Sequence, residues 1–386
     1  MILVLNSGSS SLKFRVFSHE LDLWARGRIE EIGPDENSIF KITIESHEPH
    51  KGNQNFSSHK EALEFALGYL QSHGMADVEA IGHRVVHGGD RFIKEVLIDK
   101  QVLAEIEECI PLAPLHNPAN LSGIEAASNL YPSLPQVAVF DTSFHSKMPA
   151  VARTYAIAHE LTSEGYKRYG FHGISHEFIT RKLAGLLGKP VEQASLISAH
   201  LGNGASVCAV KNGRSVDTSM GYTPLEGLVM GTRCGDLDAG IIFALLESGK
   251  YEVAELNKIL NKKSGLLGLS GVDNDMRAIL EKVGDKNPQM AIDVYCYRLA
   301  KYIASYSILA GSEAPLVFTA GVGENAALIR EKTIELLADL GYYIDKGKND
   351  SREKDILIST ESSKPVYVLA TNEERLIAEK TLSLLK

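Results

Sequence analysis

The first residues with the means to do chemistry lie in LVLNSGSSSLKF, residues 3–14. After Gly8 a period-two alternation puts Leu12, Phe14 and Val16 on one face of a strand, and Ser9, Ser11 and Lys13 on the other. Two hydroxyls and an ammonium leaving a glycine turn on one side make a cradle for a small anion, to which the N–H groups of the turn add. The same pattern suits a solvated hairpin face. GVGENA, residues 321–326, follows an apolar strand and precedes a helix, as the dinucleotide fingerprint GxGxxA does. Asp345 only loosely fills the place of that fingerprint's acidic partner. The segment equally suits the adenosine or phosphates of a mononucleotide at a helix N-terminus. No GxxxxGK[ST] occurs, so the phosphate site is not a P-loop.

Arginines and histidines fall in glycine-rich segments: Arg84 and His87 in GHRVVHGGDR, His116 in PLHNP, His172 in RYGFHGISH, His200 in AHLGNG and Arg233 in MGTRCGD. An arginine beside glycines reaches a carboxylate or phosphate with both arms of its fork. His172 and His176 are spaced i, i+4 without an HExxH, which argues against zinc. Asp141 ends an apolar strand, and Glu373 in ATNEE follows the last one. Ligand sites of α/β proteins gather at such strand ends. Helix capping is the competing role, stronger for Thr371 and Asn372 than for Asp141.

The elements that must position these residues alternate between apolar strands and helices, which predicts an α/β fold. Residues 1–17 predict two strands around the opening turn, and FKITIES one strand within a polar loop segment starting GPDENS. KEALEFALGYLQSHG predicts an amphipathic helix stopped by Gly74. VEAIGHRVVHGGDRF and LPQVAVFDTSFH each predict a strand with a polar end. From about Ser146, ASLISAHLGNGASVCAVKNGRSVDTSMG repeats the opening plan of apolar strand, glycine turn and apolar strand, a hint of internal duplication, with a hairpin at Asn212-Gly213. Helices over 251–261 and 288–307 follow, then a strand, glycine loop and helix through TAGVGENA, a strand in KPVYVLA and a last helix in EERLIAEKTLSLL.

A chain of 386 residues has material for two domains. Its net charge of −9 argues against general binding to nucleic acid or anionic membrane, and leaves room for a local basic cluster facing a small anion. Cys109, Cys208, Cys234 and Cys296 are scattered with no CxxC, which suits neither a disulfide framework nor a zinc site and fits a reducing compartment. No signal peptide pattern and no membrane-spanning apolar run occur, so the expectation is a cytoplasmic protein.

LVLNSGSSSLKF, HRVVHGG, PLHNP, FDTSFH, RYGFHGISH, HLGNG, DTSMGYTPLEGLVMGTRCGDLD, SGLLGLSG, TAGVGENA and ATNEE occur in that order between residues 3 and 374. Together they resemble the acetate kinase family. The resemblance implies the duplicated, two-domain actin-like ATPase (ribonuclease H-like) α/β fold with a nucleotide cleft between the domains. The expected domains are 1–145 plus 376–386, the acyl-kinase domain, and 146–375, the nucleotide-binding and dimerisation domain. The activity implied is reversible transfer of a phosphoryl group from ATP to acetate, giving ADP and acetyl phosphate, in a homodimer.

Carried over by position, the resemblance implies that Asn6 and Glu373 hold Mg2+, with Mn2+ as a substitute. Ser9, Ser11 and Lys13 line the phosphate end. Arg84 and Arg233 flank the transferring phosphoryl group and the substrate carboxylate, His172 donates to that phosphoryl group, and Asp141 organises the nucleophile or the metal. His200, Leu201, Gly202, Asn203 and Gly204 form a second phosphate loop, while Asp275, Met276, Arg277, Gly321, Val322, Gly323 and Asn325 border the nucleotide. Val86, Leu115, Phe171 and Pro224 match a small apolar pocket for the acyl methyl group, with His116 beside them. Ala239 departs from the family pattern, which has proline after GDLD, and the chain is slightly short. A carboxylate with a pKa near 4 is already ionised at neutral pH, so this reaction needs no general base.

Three other readings compete. A propionate kinase on the same fold differs only in pocket shape. A nicotinamide oxidoreductase built on GVGENA leaves the opening turn and the loop arginines unexplained. An actin-like or chaperone-type ATPase uses the same core to bind a partner.

Overall fold

The structure, a computed structural model, describes residues 1–34 and 36–385. Asp35, in the loop expected before FKITIES, and Lys386, the last residue of the expected terminal segment, lie outside the described residues. The chain divides into two compact units, Met1–Ser146 with Asn372–Lys386, and Lys147–Thr371. Ser146 and residues 372–375 thus group with the first unit, not with the second as the expected boundaries had it. At the second crossing the reason is local: Asn372 Oδ1 accepts hydrogen bonds from Arg15 Nη1 at 2.8 Å and from the Arg375 amide at 3.1 Å, and Glu374 pairs with Arg15 at 3.4 Å.

The first unit is built on eight strands: β1 (Ile2–Gly8), β2 (Ser11–Phe17), β3 (Leu23–Glu30), β4 (Ile39–Ile44), β5 (His50–Asn53), β6 (Ala80–Val85), β7 (Val96–Leu97) and β8 (Gln136–Phe140). They lie in the order β5-β4-β3-β2-β1-β6-β8-β7. β1 to β5 pair antiparallel in succession, whereas β6 lies parallel to β1, and β8 parallel to β6. Alternation in β2 buries Leu12, Phe14 and Val16, which join Leu3, Leu5 and the His59–Ser72 helix in one core. That helix starts at the Ser58 cap and ends before Gly74, whose φ of +82° suits glycine. The helix Glu373–Leu385 packs on the sheet as well, so closely that a Cβ on Gly82 would lie 2.7 Å from Ile377 Cγ2.

The second unit holds six strands: β9 (Leu196–Leu201), β10 (Ala205–Lys211), β11 (Arg214–Thr218), β12 (Leu316–Thr319), β13 (Ile356–Leu357) and β14 (Val366–Val368), in the order β11-β10-β9-β12-β14-β13. β9 pairs antiparallel with β10 and parallel with β12, β12 is parallel to β14, and β13 closes the edge antiparallel. The first unit's β3-β2-β1-β6-β8-β7 repeats this plan strand for strand, including the antiparallel edge. Duplication is thus a property of the topology, and β4 and β5 are additions to the first copy.

Two local expectations need correction. The polar segment from Gly33 holds β5 as well as the expected strand, and β3 lies ahead of it where no strand was expected, because backbone pairing with β2 and β4 outweighs their charged, glycine-containing sequences. GVGENA is no open loop: Ala320–Asn325 is a helical turn that begins at once after β12, with Ala320 at a φ of +64°. Glu324 Oε1 accepts the Ala320 amide at 3.0 Å, and Asn325 Nδ2 donates to the Gly321 carbonyl at 2.8 Å, so the turn closes on itself. Ala239, the departure from the family pattern, opens the Ala239–Glu247 helix behind the Asp238 cap, a position that takes alanine and proline alike. Among the described residues no helix is long and apolar enough to cross a membrane.

Candidate active site

Three parallel strands of the first unit end side by side, and their ends bring Asn6, Arg84 and Asp141 together. Leu5 pairs with His83 and Val85 with Phe140, so Asn6, Arg84 and Asp141 occupy neighbouring strand ends. The Arg84 guanidinium grips Asp141 with both arms, Nε to Oδ1 at 3.1 Å and Nη2 to Oδ2 at 2.6 Å, and Nη1 reaches Asn6 Oδ1 at 3.4 Å. Asp141 is buried, while a fifth of the Arg84 side chain is exposed. Burial works against the Arg84 charge, but the Asp141 and Glu373 carboxylates outweigh it and hold the pKa above its ordinary value. Burial, with the Asp141 charge added, pushes the Glu373 carboxyl up to about 7 against the pull of Arg84.

The loop after β6 is held by amides and a hydroxyl that sequence reasoning passed over. Asn120 Oδ1 accepts the Val86 amide at 3.0 Å and its Nδ2 donates to the Ser7 carbonyl at 2.8 Å. Asn117 takes both main-chain groups of His87, at 3.1 and 3.0 Å, and Thr142 accepts the Gly88 amide at 3.1 Å. These contacts tie the start of the Asn117–Leu130 helix to the strand ends. A Cβ on Gly123 of that helix would overlap Ser7 Oγ, so the backbones approach as nearly as glycine allows. Val86 is buried, Leu115 is half exposed, and His116 stands at the helix's N-cap position. Ser9 is exposed at the β1–β2 turn, and Ser11 and Lys13 share the non-core face of β2.

Asn6 and Glu373 present an amide oxygen and a carboxylate, with no thiolate or imidazole. That donor set suits a hard cation such as Mg2+, which takes one or two carboxylates and completes its shell with phosphate and water. Among the described residues no group of three His, Cys, Asp or Glu makes an all-protein metal cage.

In the second unit His172 has a φ of +57°, a conformation that β-carbon residues seldom adopt, and stands at the head of the Gly173–Leu186 helix. Its ring stacks on His200, with centroids 4.3 Å apart. A row of hydroxyls lies behind the two rings. Ser206 Oγ meets His172 Nδ1 at 3.0 Å and His176 Nε2 at 2.8 Å, Ser198 Oγ meets His176 Nδ1 at 2.9 Å, and Ser175 Oγ meets His200 Nδ1 at 2.7 Å. Both ring nitrogens of His176 are thus engaged by serines. A Cβ on Gly204 would lie 3.3 Å from His172 Nε2 and 3.6 Å from Arg233 Nη1, so these two cationic or donor groups border the same turn. Arg233 Nη1 donates to the Pro224 carbonyl at 3.1 Å. Phe171 is buried.

A cavity of about 870 Å³ brings together Gly202, Asn203, Asp275, Met276, Arg277, Gly321, Val322 and Asn325. Its size lies within the range of small-molecule sites. Asn203 is tied to this wall by the Asn274 amide, Nδ2 to Oδ1 at 3.1 Å. Leu201 is buried in β9, so only its main chain borders the turn, and Gly323 is buried where a Cβ would sit 3.4 Å from the Phe318 carbonyl carbon; neither lines the cavity. Asp345 caps a short helix by accepting the Lys348 amide at 3.1 Å. Arg330 lines the cavity unforeseen. It is buried and its guanidinium donates only to neutral oxygens, Asn349 Oδ1 at 2.8 Å, Gly323 O at 2.9 Å and Asn349 O at 2.6 Å. Burial pushes its pKa down to about 10. Its place inside an ordinary helix, with no glycine nearby, gave no sequence signal.

Two α/β units on one strand plan, each with a tight turn at the head of its sheet, define the class as the two-domain actin-like ATPase fold. The chain belongs to the acetokinase family, whose sequence model matches residues 1–379. It is 49% identical to an acetate kinase of Shewanella sp. (strain ANA-3), over 100% of this chain and 98% of that one. Among solved structures it is similar to a propionate kinase from Francisella tularensis subsp. tularensis SCHU S4, with a TM-score of 0.94 and 43% identity over 99% of each chain. It is also similar to the Porphyromonas gingivalis acetate kinase, with a TM-score of 0.93 and 41% identity over 100% of this chain and 99% of that one.

Proposed function

We infer that this kinase transfers a phosphoryl group reversibly between ATP and acetate, forming acetyl phosphate and ADP. The observation that carries the reading is the two-armed Arg84–Asp141 grip beside Asn6 at the ends of parallel strands, in a chain of the acetokinase family. Both Asp141 oxygens are taken by Arg84, so Asp141 orients the guanidinium and abstracts no proton. The nucleophile needs none, because acetate is ionised at neutral pH. The difficulty is bringing one anion against another. Donors for the equatorial oxygens of the transferring group are the role we assign to Arg84, His172 and Arg233. Asn6 and Glu373 would hold Mg2+, or Mn2+ in its place, which would supply positive charge against the phosphates. Lys13, Ser9 and Ser11 face the phosphates; the Asn203–Arg277–Val322 cavity takes the nucleoside, and His200 and the turn through Gly202 and Gly204 border its phosphates.

We assign recognition of the acyl methyl group to Val86, Leu115 and His116 of the first unit and to Phe171 and Pro224 of the second, and the branched Val86 limits chain length. One methylene in an apolar pocket is worth about 1–3 kcal/mol, so propionate is a poorer substrate and not an excluded one. The expected domains keep their roles, acyl binding in the first and nucleotide binding in the second. We place the enzyme in the cytoplasm as a homodimer, with no nucleic-acid or membrane partner. Support for the dimer is the apolar helix Ala239–Glu247, with Ile241 and Phe243 exposed, and exposed Met290, Tyr297 and Ile308 on the Lys286–Ala310 helix.

The test is trapping of acyl phosphate as hydroxamate, with acetate, propionate and butyrate side by side. The expected order of kcat/KM is acetate, propionate, butyrate. Absence of product with all three overturns phosphoryl transfer to short carboxylates, and a preference for propionate overturns the substrate.

A further inference from the structure

We propose that the outer face of β2 to β5 binds a linear oligophosphate anion, in a groove that begins at Lys13 and runs away from Asn6. Strand register places Lys13 opposite Arg28, Arg28 opposite Lys41 and Lys41 opposite Lys51, one cation on each of four adjacent strands. At a strand spacing of about 4.8 Å the row covers roughly 14 Å. A second row sets Arg15 opposite Arg26 and ends at Thr43. Between the rows lies a groove of about 380 Å³, lined by Lys13, Arg15, Arg26, Arg28, Lys41 and Glu374 among others.

Folding does not account for this face. Like charges directly opposite on a sheet destabilise it, and here four such pairs occur. β2, β3 and β4 each have a neighbour on both sides, so their cations do not guard a sheet edge. The acids present answer only part of the charge: Glu374 lies 3.4 Å from Arg15 and Glu30 lies 3.6 Å from Arg28. Arg26, Lys41 and Lys51 are exposed and have no ion-pair partner among the described residues. The concentration of positive charge stands on a chain of net charge −9, which disfavours a nucleic acid or an anionic membrane and leaves a small anion as the fitting partner. A single phosphate would leave most of the row unmatched. A chain of phosphates presents charges along a line, and arginine takes phosphate oxygens with both arms.

The probe is sodium tripolyphosphate, titrated by isothermal calorimetry at constant ionic strength, with sodium sulfate as the second arm. The expected result is a saturable change with tripolyphosphate and none with sulfate, with affinity at least tenfold weaker in Lys41→Gln/Lys51→Gln. That variant keeps the wild-type rate of acetyl phosphate formation, since neither residue belongs to the site above. No saturable change, an equal response to sulfate, or unaltered affinity in the double variant overturns the proposal. The heat of binding is read without turnover, so its failure leaves the transfer reaction untouched, and a failed hydroxamate assay leaves this groove untouched.

Discussion

Arg84 has two neighbours that fix its plane, and lysine offers no equivalent, since an ammonium is a point charge without a fork. Arg84→Lys therefore keeps the charge and loses the two-armed contact with Asp141. The expected result is a fall in kcat of roughly two decades, the cost of one misplaced oxyanion donor, with an unaltered circular dichroism spectrum. Steady-state rates of acetyl phosphate formation check it, and a near-wild-type kcat would remove Arg84 from the chemistry. At this scale much of the site was legible. Arg84, Asp141, His172 and Arg233 stand in short segments whose glycines and strand ends mark them out. Asn117, Asn120, Thr142 and Ser206 were not, because each bonds a main-chain group or ring that lies far away in sequence. A lone asparagine in a helix looks like any surface residue until its partner is known.

Elements position the site through a few buried contacts, and the loop from Ser219 to Glu226 shows how. Arg168 Nη1 donates to the Thr218 and Met220 carbonyls at 2.9 and 3.0 Å, and its Nη2 pairs with Glu226 Oε1 at 2.6 Å. Tyr155 OH donates to the other Glu226 oxygen and accepts the Tyr222 amide at 3.0 Å. A Cβ on Gly221 would overlap both Glu226 and Tyr155, so only glycine fits beneath this clamp. The clamped loop carries Pro224, whose carbonyl holds Arg233. Glu226→Gln removes the charge that Arg168 needs and frees Pro224 and Arg233 together. KM for acetate is expected to rise about tenfold, equivalent to about 1.4 kcal/mol of binding, while KM for ATP moves little. Initial-rate kinetics with each substrate varied in turn distinguish this from a general loss of fold, in which both constants or the active fraction change. Most helices and apolar strands were legible from periodicity. β3 and β5 escaped because their outward residues are charged and Gly27 and Gly52 interrupt them, and only cross-strand pairing supplies what their sequences lack.

The duplicated plan was visible in the sequence only at its two turns, since the strands between have diverged to different lengths and faces. Both ends of the sequence meet in the first unit, where the helix Glu373–Leu385 packs on the sheet begun at Ile2. That unit also carries two buried histidines that the chemistry does not use, His83 and His87. His83 Nε2 bonds Gln136 Oε1 at 2.7 Å within the sheet. Burial pushes both rings down to about 4, against an ordinary 6.5. Between those values the unfolded chain takes up protons that the folded unit refuses, so these two rings lower stability as pH drops from about 6.5 toward 4, while the raised Glu373 carboxyl acts in the opposite sense below about 7. At pH 5 each ring costs about 2 kcal/mol, from 1.4 kcal/mol per pH unit. Trp24, the single tryptophan, lies in the first unit, so its emission follows unfolding of that unit alone. Urea midpoints of the wild type and His83→Gln, both read by Trp24 fluorescence, are compared at each pH, so that groups common to both cancel. The difference is expected to be constant from pH 8 to 6.5 and to shift in favour of the variant by pH 5, because the variant has no buried ring to protonate on unfolding. A difference that holds steady to pH 5 would show that the buried His83 ring does not weaken this unit in acid.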